Sequence, residues 1–62
     1  MKNWYLATYK NADCSYRTCL VLSDSEDKAE GHFKGYEMAS VRMAAEDEID
    51  YYRSKGCAVV EL

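Results

Sequence analysis

A chain of 62 residues with 48% hydrophobic and 31% charged side chains is expected to form one small globular domain over residues 1–62 rather than a disordered segment. Its net charge of -3 and pI near 4.9 argue against direct binding to nucleic acid or to an anionic membrane, both of which draw on clustered Lys and Arg. No apolar run approaches the ~20 residues of a membrane span, and Met1-Lys2-Asn3-Trp4 leads straight into a strand pattern, so a cytoplasmic protein is expected.

At this length folding removes only about 60% of the unfolded chain's surface from water, which leaves stability marginal and makes any staple or partner valuable. The three cysteines, Cys14, Cys19 and Cys57, are an odd number that fits reduced thiols better than a disulfide framework.

Residues 3–9, NWYLATY, and 16–22, YRTCLVL, are rich in aromatic and strand-forming types. Asn11 and Asp13 between them supply turn chemistry, so an antiparallel hairpin is predicted. Ser23 followed by Glu26 has the spacing of a capping box and predicts a helix. Its opening acids suit the positive end of the helix dipole, Ala29 and Phe33 form a short apolar stripe, and Lys34-Gly35 marks its end. Gly31 weakens its interior.

Residues 36–55 fit either one long helix or a strand followed by a helix. Charge placement favours the second: Glu46, Asp47 and Glu48 then occupy a first turn, Arg53 and Lys55 the last, and Gly56 the cap. Residues 36–43 become a third strand, in which Ala39, Val41 and Met43 alternate with Ser40 and Arg42, and CAVVEL becomes a fourth. The expected fold is α+β, in ββαβαβ order, with a mixed sheet. Right-handed crossovers are taken to place both helices on one sheet face.

Cys14, Cys19, Cys57 and His32 have the composition of one tetrahedral zinc site, but only Cys14 and Cys19 have ligand-like spacing. No second paired motif accompanies them, and no metal or other cofactor is expected. Catalysis is not expected either: His32 is the lone histidine, without a placed nucleophile or orienting group, and no P-loop, G-x-G-x-x-G or G-x-S-x-G pattern occurs. Carboxylates at helix starts are held ionised by the dipole and make poor general acids.

Eight of the eleven acids fall in two segments, Asp24, Glu26, Asp27 and Glu30 in the first helix and Glu46, Asp47, Glu48 and Asp50 in the second. The function expected is therefore a non-enzymatic protein-binding module that presents acidic helices to the basic, nucleic-acid-binding groove of a protein partner, as small inhibitors of phage and mobile elements do. A zinc-stabilised cytoplasmic module is the alternative. Two helices on one face would leave the other open, and Trp4, Leu6, Tyr16, Tyr36 and Met38 are candidates for a homodimer contact or a second partner surface there.

Overall fold

The computed structural model describes residues 1–62. Strands β1 (Asn3–Lys10) and β2 (Tyr16–Ser23) pair antiparallel, Asn3 opposite Ser23 and Lys10 opposite Tyr16. The turn between them uses the residues that the sequence marks for it. The Asn11 amide donates to the Ser15 carbonyl at 2.7 Å, and the Asp13 carboxylate accepts from the Ser15 amide and hydroxyl at 3.1 and 2.6 Å. These bonds favour the ionised carboxylate and hold the Asp13 carboxyl below its ordinary value. Cys14 sits in this turn with a φ of 70°, a left-handed conformation that Gly or Asn adopts more readily.

Helix α1 (Glu26–His32) begins later than the Ser23–Glu26 spacing implies. The reason is that β2 runs on through Ser23, which pairs with Asn3, is fully buried and donates its hydroxyl to the Ser25 carbonyl at 2.9 Å. Ser25 becomes the cap instead, its hydroxyl accepting the Lys28 amide at 3.1 Å. The helix ends at His32, ahead of Lys34-Gly35, with the Phe33 amide donating to the Glu30 carbonyl at 3.1 Å and the Lys34 amide to that of Gly31 at 3.3 Å.

Strand β3 (Glu37–Met43) pairs antiparallel with β1, Thr8 opposite Ser40, and the register then slips so that Lys10 faces Glu37. Met38 occupies this bulge with a φ of 51°. Helix α2 (Glu46–Ser54) follows, with its three leading acids in the first turn as expected. Its end is a Schellman closure: the Cys57 amide bonds to the Tyr52 carbonyl and the Gly56 amide to that of Arg53, both at 3.2 Å, with Gly56 at φ 75°. Strand β4 (Val59–Glu61) pairs parallel with β2, Leu20 opposite Val59. The sheet order is β3-β1-β2-β4, an α+β fold in ββαβαβ order.

The two helices lie on opposite faces of this sheet, not on one. Ala29 of α1 and Phe33 at the end of that helix pack with Tyr5, Ala7, Cys19 and Val21, which point to one side. Leu6 and Leu20 are cross-strand partners on the other side, and they are 4% and 0% exposed although they lie outside that cluster. Trp4 shares their side and carries the Arg53 guanidinium of α2 at 6.0 Å from its ring centre. The cause is topological: the α1 connection steps from β2 outward to β3, whereas the α2 connection steps back across the sheet to β4. Two right-handed crossovers that run in opposite directions must use opposite faces. The 32 × 25 × 15 Å envelope agrees, because four strands at ~4.8 Å spacing span about 15 Å and the 25 Å dimension accommodates a helix on each side.

Candidate functional site

The acids divide between two distant surfaces, so they do not form one continuous acidic face. Just ahead of α1, Asp24 pairs with Lys28 of the helix at 3.6 Å, while Glu26, Asp27 and Glu30 on the helix are exposed and have no ion-pair partner. On α2, Glu46, Asp47 and Asp50 are exposed, but Glu48 is committed to the fold. Its carboxylate accepts from both terminal nitrogens of Arg42 and from the Ala45 amide, the last at 3.1 Å. Arg42 first and then the Ala45 amide hold the Glu48 carboxyl at about 2, against an ordinary 4.5. Ala45 has no side-chain acceptor, so Glu48 supplies the capping chemistry at this helix start.

The four zinc-ligand candidates are not brought together. Cys14 is exposed in the hairpin turn, Cys19 is buried in β2, and Cys57 is half-buried after α2. His32 packs edge-on against Phe33, with ring centres 4.9 Å apart. No group of three or more His, Cys, Asp or Glu side chains is placed to hold a metal ion. All three thiols are free, and burial raises that of Cys19 above its ordinary value, with a smaller push from Cys57.

The candidate dimer face is also dispersed. Leu6 is buried inside the chain and Trp4 is half-buried beside Arg53, so the open sheet face expected there is occupied by α2. Tyr16, Tyr36 and Met38 are exposed near the opposite end of the sheet, where the Tyr16 hydroxyl donates to the Met38 sulfur at 3.6 Å. Tyr36 also belongs to an aromatic cluster: its ring lies tilted at 4.5 Å from that of Tyr9 and 5.7 Å from that of Phe33.

These aromatics lead to an open groove of about 590 Å³ between α1 and β3. Its floor is apolar, formed by Phe33, Tyr36, Met38, Ala39 and Val41. Asp27 and Glu30 stand on its α1 wall, with Lys34 beyond the helix end. Gly31 contributes to the opening because it presents no side chain to it, and a Cβ there would meet nothing within 4 Å. The groove joins two features that the sequence shows only apart, a cluster of helix acids and a tyrosine-rich strand end. Its clue is the run Phe33–Val41, in which helix-favouring Glu37, Met38 and Ala39 are held in a bulged strand. Comparison of the chain with family models, with curated proteins and with solved structures finds no match.

Proposed function

We propose that this chain is a small, non-enzymatic binding module whose acidic α1 surface meets a basic surface of a protein partner. The observation that carries the reading is the pairing of an apolar floor with the unpartnered acids Asp27 and Glu30 on one wall of the α1–β3 groove. An apolar floor supplies the non-directional part of binding, and the flanking charges select the partner and speed its arrival. Glu26 extends the negative strip along the same helix. A partner that uses a basic groove to hold nucleic-acid phosphates matches this strip in sign, and its occupation by the chain would inhibit it, as small acidic proteins of phage and mobile elements inhibit their targets.

Affinity capture tests the reading. The wild-type chain should retain a protein that added duplex DNA displaces, and Asp27→Lys with Glu30→Lys should abolish the capture, while reversal of Glu46, Asp47 and Asp50 on the far face should leave it in place. Equal capture by the α1 reversal would overturn the proposal.

A further inference from the structure

We infer that the α1–β3 groove receives an extended cationic segment of the partner, which joins the sheet as a fifth strand on the free edge of β3. This rests on the protein-binding reading and specifies how the contact is made.

Strand β3 is an outer strand of the sheet, so one side of its backbone has no neighbour. The Ala44 amide donates to the Trp4 carbonyl at 3.0 Å, continuing the β1–β3 register. Antiparallel ladders alternate between residues that bond to the neighbour and residues that face away from it. On that alternation the amide and carbonyl of Val41 and the amide of Met43 point outward, available to a further strand, while the Met43 carbonyl accepts from the Arg42 guanidinium at 3.4 Å. The Met38 bulge interrupts the edge at its other end and limits pairing to the stretch beyond it.

The groove beside this edge states the side-chain chemistry of the added strand. A residue entering it crosses Phe33, Tyr36 and Val41 and then reaches the carboxylates of Asp27 and Glu30. Lysine and arginine fit that path, because an apolar stem ends in a positive tip, and a guanidinium is further attracted by a tyrosine face. Alternate residues of a strand point the same way, so basic residues at every second position would enter the groove in succession. A second copy of this chain is a poor occupant: with its net charge of -3, edge-to-edge pairing of β3 would set Asp27 and Glu30 of both copies against one another.

The test uses a short synthetic peptide of alternating arginine and threonine, with a glutamate–threonine peptide and a proline-interrupted arginine peptide as controls. Titration followed by amide NMR should show the arginine peptide alone binding, with the Val41 and Met43 amides gaining protection from hydrogen exchange. Asp27→Lys with Glu30→Lys should weaken it by about tenfold or more. Gly31→Leu, which fills the groove without removing a charge, should weaken it comparably, and the amide spectrum of each variant reports whether the fold is kept. Binding that depends on charge but leaves the Val41 and Met43 amides unprotected would overturn strand addition while leaving the basic-partner reading in place. Failure of the arginine peptide to bind would overturn it too, as would protection of those amides without peptide at twice the chain mass, since a second copy would then hold the edge.

Discussion

Arg42 in β3 and Glu48 in the first turn of α2 form a bidentate ion pair that clamps the connection between the two elements. One arm measures 2.8 Å, and the same carboxylate also closes the helix start by accepting the Ala45 amide. Planar guanidinium and carboxylate groups match each other at two points, which fixes the angle at which α2 leaves the sheet.

The pair makes stability depend on acid. The Glu48 carboxyl is depressed to about 2 in the folded chain from an ordinary 4.5, so its contribution is complete above about 4.5 and is lost as pH falls toward 2. Thermal melts between pH 6 and pH 2 should therefore show wild type losing its advantage over Glu48→Gln across that interval, with the two chains converging at the acid end. A constant difference across the range would contradict the role assigned to the pair.

Gly56 should not tolerate a side chain. Its φ of 75° lies in the left-handed region, and the Schellman bonds from Gly56 and Cys57 depend on that geometry. Gly56→Ala is expected to destabilise by about 1–2 kcal/mol, read as a lower urea midpoint with an unchanged slope.

Gly31 should behave in the opposite way. It lies inside α1, and an added Cβ meets nothing within 4 Å. Gly31→Ala should stabilise by up to about 1 kcal/mol through helix propensity, with the urea midpoint moving upward.

The thiols should separate by reactivity. Cys14 is exposed in its turn, whereas Cys19 is 2% exposed and burial raises its thiol. A disulfide reagent at neutral pH should modify Cys14 at once and Cys19 only as the chain unfolds, and Cys14→Ser should remove the fast phase. A fast phase persisting at Cys19 would contradict its placement in the core.

Much of the fold is legible because local physics acts at single positions. Glu46, Asp47 and Glu48 mark a helix start through the dipole, and Gly56 marks its end, which together divide residues 36–55 correctly into β3 and α2. The cap of α1 was legible only in type. Both Ser23 and Ser25 offer a hydroxyl, and the choice falls to Ser25 because Ser23 is taken into the sheet by Asn3, a partner remote in sequence. The side on which each helix packs was hidden for the same reason. Trp4 and Leu6 on one side of β1 are as apolar as Tyr5 and Ala7 on the other, so alternation alone does not show that both are covered. Only the spatial order β3-β1-β2-β4 decides it. The groove depends on that order as well, since it is bounded by an outer strand and a helix whose adjacency follows from topology.

Strand β1 lies between β2 and β3, and the turn that joins it to β2 spans only residues 11–15. The hairpin therefore closes at small entropic cost, whereas β4 reaches β2 only after β3 and α2 have intervened. Assembly should begin at the hairpin and finish at β4, and loosening should run in reverse. The Leu62 amide, bonded to the Leu22 carbonyl at 2.9 Å, would then exchange with solvent through local opening while the β1 amides wait for the whole chain to unfold. The sheet thus has a durable interior and an outer strand that is released first, so partial unfolding would expose the outer edge of β2 while leaving β1 paired.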